Sequence, residues 1–200
     1  MLLVIANISK KPNVRKLLQT AVAFGCRGIL MVGQRQFRYD PNTASAAAAA
    51  AAATTTTLTM TTDRQDQDNT DDDLPPSIRS YITSGQFFLR RFDKWDECVA
   101  HLQETNVALV GVEIHPNAVN LEDFVSKDGR EVAFLMGNEG TGIHPKHMKD
   151  CDGGFIKISQ YGSGTASLNV YVAASIVLSH YQYQQRQRGD TPHTSVMTNS

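Results

Sequence analysis

Apolar runs separated by polar, glycine-marked breaks recur along most of this chain. Leu2 to Ala6 is a compact apolar run that reads as a buried strand. Asn7 to Asn13 is polar, holds Pro12 and reads as a loop. From Val14 to Phe24, Leu17, Leu18, Ala21, Val22 and Phe24 recur at helical spacing, and Gly25 stops the pattern. Ile29 to Val32 is the next strand, closed by Gly33. Strand, helix and strand in this order predict a parallel pair with a crossover helix.

The same alternation returns at Phe87-Phe-Leu-Arg-Arg-Phe92. A helix over Lys94 to Gln103 follows, with Trp95, Cys98, Val99 and Leu102 on one face, then a strand from Val107 to Val112. Leu121 to Val125 is a short turn or helix, and Val132 to Met136 another buried strand. Phe155 to Ile158 is a strand, followed by a loop marked by Gly162 and Gly164 and by a helix starting near Ser167. Between Lys157 and Arg186 there is no Asp, Glu, Lys or Arg, so this last helix is expected to be buried on nearly every side. The predicted fold class is α/β, a parallel sheet with helices on both faces. Ligands in such sheets bind at the carboxyl ends of the strands, where Gly137 to Gly142 and Gly162 to Asn169 fall.

One stretch breaks the pattern. Residues 36–77 contain Ala46 to Ala53, Thr54 to Thr57 and an Asp-rich run ending in Leu74-Pro75-Pro76. Such tracts have too little hydrophobicity to offset their ordering entropy, so a disordered insertion is expected here. The domain is therefore expected to span 1–187, interrupted by 36–77, with a disordered tail over 188–200. A length of 200 residues with 41% hydrophobic content suits one such domain.

Composition adds less. Residues 40–77 hold seven Asp against Arg64 alone, so the formal net charge of −1 conceals a body of about +5, compatible with nucleic-acid binding without demanding it. Asn169 and Ser175 interrupt the best apolar segment, and the first residues lack a basic flank, so no membrane span or signal peptide is expected and the protein is read as soluble and intracellular. Cytoplasm, nucleus and mitochondrion stay open. Cys26, Cys98 and Cys151 are odd in number and widely spaced, which argues for structural thiols in a reducing compartment.

Two stretches carry candidate chemistry. Ser163, Thr165, Ser167 and Asn169 place hydroxyl and amide groups where the chain enters the last helix, as caps or as partners of a ligand anion. Gly137-Asn-Glu-Gly-Thr-Gly142 directly follows a strand. It lacks the Lys-Ser/Thr of a phosphate-binding loop, and its glycine order reverses the dinucleotide fingerprint. Its glycines instead allow close backbone approach to a flat ligand such as a nucleoside. His144, His147 and Cys151 lack a fourth ligand, and no metal site is expected.

Taken together, Phe134-Leu-Met-Gly-Asn-Glu-Gly-Thr-Gly-Ile143 and Ile156-Lys-Ile-Ser-Gln-Tyr-Gly-Ser-Gly-Thr-Ala-Ser-Leu-Asn-Val-Tyr-Val-Ala-Ala-Ser-Ile176 closely resemble the second and third motifs of the SpoU-type (TrmH-like) RNA ribose 2′-O-methyltransferases of the SPOUT superfamily. Asn13-Val-Arg-Lys-Leu-Leu-Gln-Thr-Ala-Val-Ala-Phe-Gly25 resembles the first. The resemblance implies a C-terminal trefoil knot that holds S-adenosylmethionine, a homodimer packed through the knot or a heterodimer, and tRNA or rRNA as substrate. It places Leu135, Gly137, Asn138, Glu139, Gly140, Ile158, Ser167 and Leu168 at cofactor positions, and Asn13, Glu139, Ser167 and Asn169 at or around catalysis.

The chain departs from the family at one point. Six residues after the motif-one asparagine the family carries an arginine thought to act with an RNA phosphate, whereas this chain has Gln19, and a neutral amide cannot replace a forked cation. Arg15, one helical turn earlier, is the candidate substitute and is counted with the catalytic residues. The alternative is a catalytically silent RNA- or cofactor-binding assembly factor or heterodimer subunit.

Overall fold

The structure, a computed structural model, describes residues 1–8, 10–34, 37–38, 73–138, 140–162 and 167–189. Among these residues seven strands are formed: β1 Leu2–Ala6, β2 Gly28–Val32, β3 Phe88–Phe92, β4 Val107–Val112, β5 Ala118–Asn120, β6 Glu131–Met136 and β7 Phe155–Lys157. They make one sheet in the order β3-β2-β1-β6-β4-β7-β5. Every pairing is parallel, with Leu2 opposite both Gly28 and Ala133 at the sheet's centre. β1 and β2 are buried along their whole length, which is why they read as continuous apolar runs and not as alternating ones.

Among the described residues five α-helices cover the sheet: α1 Lys11–Ala23, α2 Pro76–Thr83, α3 Trp95–Glu104, α4 Pro145–Met148 and α5 Val170–Arg188. Alternate strand residues point to opposite faces. Leu3, Ile5, Ile29 and Phe134 pack with α1, α2 and α5, while Leu2, Val4, Leu30 and Leu135 pack with Cys98 and Leu102 of α3. This is the predicted α/β sheet with helices on both faces. The three thiols sit inside it, and burial pushes each up to about 12, so they are inert packing groups.

Several boundaries differ from the sequence reading. The expected loop over 7–13 ends early, because Pro12 sits in the first turn of α1 and its preset φ starts the helix instead of blocking it. Asn13 is therefore helical and buried. The last helix begins at Val170, with Asn169 as its N-cap. Its burial is one-sided: Val170, Ala174, Val177, Leu178 and Tyr181 face the core, while Ile176 and Tyr183 are exposed. α2 was not foreseen, although Ile78 and Ile82 give it an apolar side.

The ends of the stretch 36–77 belong to the folded body. Phe37 and Leu74 are buried in the core beside α1 and α2. Asp73 N–H donates to the Arg38 carbonyl at 2.9 Å, and Arg38 N–H donates to the Asp73 carboxylate at 2.8 Å, so two strands of chain are buttoned together at the neck. The alanine, threonine and aspartate tracts between them lie outside the described residues; of the tail expected over 188–200, Arg188 ends α5 and Gly189 caps it, and 190–200 lie outside the described residues. The expected knot depends on the course of residues 163–166, which also lie outside the described residues.

Candidate functional site

A cavity of about 300 Å³ opens at the carboxyl ends of β4, β6 and β7, where the sheet topology places a ligand. Its floor is the end of β6, where the chain turns sharply after Met136. Asn138 and Gly142 exchange two backbone hydrogen bonds of 2.9 Å, closing a tight hairpin. Gly137 is required there, since a Cβ would stand 2.5 Å from the Gly142 carbonyl carbon and 2.6 Å from the Ile143 nitrogen. Gly142 turns the chain with φ +68°, a left-handed conformation.

Two side chains fix the hairpin. The Asn138 amide donates to the Asn7 carbonyl at 2.7 Å and accepts from Gly140 N–H at 2.9 Å, tying the loop to the end of β1 and to itself. Glu113, directly after β4, accepts from Ile143 N–H and from its neighbour Ile114 N–H, each at 3.0 Å. The sequence reading missed Glu113, although a carboxylate at the end of an apolar strand, level with a glycine hairpin, is the signal for such a brace.

The other walls come from the loop after β7 and from the start of α5. Ile158, Leu168, Val170 and Ala173 supply apolar surface, and Lys157, Gln160 and Ser167 supply polar groups. Asn169 accepts from Tyr171 N–H at 3.2 Å, so its amide caps α5. Ser167 is exposed at the rim.

The structure thus gathers Gly137, Asn138, Gly140, Ile158, Ser167 and Leu168 around one cavity. Leu135 lies on the opposite face of the sheet and lines a smaller hollow of about 90 Å³ behind the hairpin, with Asn7, His144 and His147. Glu139 lies outside the described residues. Asn13, Arg15 and Asn169 are not among the lining residues of the larger cavity.

Arg15 faces elsewhere. Its Nε donates to the Asp73 carbonyl at 2.9 Å, and its guanidinium stands 3.7 Å from the Asp73 carboxylate. Gln19 is exposed. Lys16 is the α1 cation that meets α5: its Nζ donates to the Tyr171 hydroxyl at 3.2 Å and lies 4.4 Å from that ring's centroid.

The histidines read as a possible ligand set have structural partners. His144 caps α4 by accepting from Lys146 N–H at 3.2 Å. His147 stacks on Trp95 with centroids 3.9 Å apart, and burial together with the neighbouring His144 holds it below the usual histidine range. Among the described residues no group of three or more His, Cys, Asp or Glu could hold a metal ion, and no helix is long and apolar enough to cross a membrane.

An apolar-walled cavity of this volume with a backbone-lined glycine floor suits a flat heterocycle carrying a polar tail. The mixed lining, apolar at Ile158, Leu168 and Ala173 and polar at Lys157, Gln160 and Ser167, is the specific observation behind that fit.

The architecture recurs in solved structures. The SpoU methyltransferase AviRb from Streptomyces viridochromogenes, crystallised with the cofactor AdoMet, is similar at TM-score 0.62 and 20% identity over 93% of this chain and 58% of that one. The A. aeolicus TrmH/SpoU tRNA modifying enzyme is similar at TM-score 0.62 and 19% identity, over 94% of this chain and 77% of that one. An AdoMet-bound rRNA methyltransferase from Sinorhizobium meliloti gives TM-score 0.58 and 21% identity, over 92% and 56%. The chain thus spans less than three fifths of the length of the Streptomyces and Sinorhizobium proteins, and at these identities the likeness is one of fold. No curated protein sequence matches the chain. The model of the SpoU rRNA Methylase family matches residues 67–179, more than half of the chain and the whole of the hairpin, the cavity loops and the start of α5. The chain belongs to the SpoU rRNA methylase family.

Proposed function

We propose that this chain binds S-adenosylmethionine in the larger cavity and methylates a ribose 2′-OH in tRNA or rRNA. The observation that carries the reading is the cavity between the Gly137–Gly142 hairpin and the Ile158–Leu168 loop, built by the family's two most specific motifs. Two of the similar solved proteins contain AdoMet, which supports the same ligand here.

The cofactor supplies an electrophilic methyl group; the chain supplies binding and geometry. Ile158, Leu168 and Ala173 would hold the heterocycle, with the Gly137–Gly142 hairpin as the floor beneath it. Ser167, at the rim, presents a hydroxyl toward an arriving ribose. A 2′-OH is a weak nucleophile and must be polarised and held in line. Gln19 cannot supply the permanent cation for that step, so the charge comes from Arg15 or Lys16, both on α1 within four residues of it. A second copy packing on α5, where Ile176 and Tyr183 are exposed, would complete the assembly that the family resemblance implies.

One observation favours the silent-binder reading: Arg15 is already engaged by Asp73. Transfer of labelled methyl from S-adenosylmethionine to total RNA separates the two, with Gln19→Arg run alongside. The enzyme reading expects incorporation by the unmodified protein, recovered as 2′-O-methyl nucleosides after nuclease digestion. Incorporation by Gln19→Arg alone would overturn it in favour of a binding protein on a methyltransferase frame.

A further inference from the structure

Three groups converge on one carboxylate at the N-terminal turn of α1. Lys11 Nζ stands 3.0 Å from Asp73 Oδ2, the Arg15 guanidinium 3.7 Å from Oδ1, and Arg38 N–H donates to Oδ2 at 2.8 Å. Burial by itself would push the Asp73 carboxyl up, but the Arg38 N–H, the Lys11 ammonium and the Arg15 guanidinium together hold it below the usual carboxylate range. The cations remain open to solvent, with side-chain exposures of 45% for Lys11 and 49% for Arg15 against 15% for Asp73. An ammonium, a guanidinium and a backbone N–H around a two-oxygen anion is also the donor set that holds a phosphate.

We infer that Lys11, Arg15 and the Arg38 N–H form a binding site for an RNA backbone phosphate, and that the Asp73 carboxylate occupies it as a competing internal anion. The inference rests on the RNA-modifying reading for the identity of the ligand. Asp73 terminates an acidic run on a chain whose remaining body is net positive, so its position against α1 joins the two oppositely charged parts of the molecule. RNA must displace this carboxylate to reach Arg15. When it does, Arg15 is released beside Gln19, at the point where this chain lacks the arginine of the family's motif.

The test is binding of a fluorescein-labelled oligoribonucleotide to the full chain without S-adenosylmethionine, so that the result does not depend on methyl transfer. Asp73→Asn keeps the shape and an oxygen that accepts from Arg38 N–H while removing the charge. It is expected to tighten binding about three- to tenfold at low salt and to lose that gain at high salt, where phosphate contacts are screened. Asp96→Asn, an equal charge change in the first turn of α3, controls for net charge and is expected to give a clearly smaller gain. In an Arg15→Gln background the Asp73→Asn gain should shrink to the part that Lys11 supplies, because the two act on one site. An Asp73→Asn gain no larger than that of Asp96→Asn, or one undiminished by Arg15→Gln, overturns the inference; so does a protein that binds no RNA in any form. Unfolding midpoints of the unmodified protein and the four variants confirm that the comparison is between folded chains. RNA binding that behaves as expected without methyl transfer under any condition would refute the enzyme reading and leave this site standing.

Discussion

The hairpin after β6 and the first turns of α1 both flank the carboxyl edge of the sheet, yet they are built on different principles. The hairpin is over-determined: two backbone bonds, a brace from Glu113, an anchor from Asn138 to Asn7 and a glycine that admits no substitute all fix one shape. The outer face of α1 is held by exposed ion pairs and one cation over an aromatic ring, contacts that solvent screens. The family model covers the first region and begins after the second. On the proposed function, the rigid region would be the one that positions a cofactor, and the adaptable one the surface that meets RNA, with its charge at positions 15 and 16 and not at 19.

That contrast can be broken most directly at Gly137. Alanine there would push a methyl into the Gly142 and Ile143 backbone, which cannot swing aside as a side chain can. The expected cost is about 1–3 kcal/mol of stability, and loss of at least about tenfold in S-adenosylmethionine affinity, read by calorimetry and by urea unfolding. Glu113→Ala comes next. It strips acceptors from Ile143 N–H, which is partly buried, and from Ile114 N–H, for an expected loss of about 1–2 kcal/mol by urea unfolding with weakened cofactor binding.

The smallest effect is expected at the neck of the insertion. The folded Asp73 carboxyl is depressed, so its contribution is present above the unfolded value near pH 4 and is lost as pH falls through the folded value. Because Lys11 and Arg15 are half-exposed, the stability difference between the unmodified protein and Asp73→Asn should stay below about 1 kcal/mol at neutral pH and vanish in acid. A difference of several kcal/mol would mean that the α1 face is as rigidly built as the hairpin.

Much of this architecture was legible in the sequence because it depends on local pattern. The continuous apolar runs at Leu2–Ala6 and Val107–Val112 mark both strands at their observed limits, since a parallel strand buried on both faces needs no alternation. β5 was invisible: Ala118–Asn120 has three residues and pairs only with the equally short β7. Pro12 misled, because the same residue marks both loops and first helical turns. At the site, the glycines and the Ser-Leu-Asn run were readable through their resemblance to the family's motifs. Glu113 and the Asp73 contact were not, because both are long-range: Glu113 braces a residue 30 positions away, and Arg15 meets one 58 positions away. No periodicity encodes such a meeting.

The position of β1 bears on how the molecule comes into being. β1 lies between β2 and β6, so one of its edges is satisfied by Gly28–Val32 soon after translation, while the other waits for Glu131–Met136. Until β6 leaves the ribosome, a nascent chain displays an unpaired, wholly apolar strand edge. Chains halted before Met136 should therefore be aggregation-prone and dependent on chaperones, and that hazard should end when β6 docks.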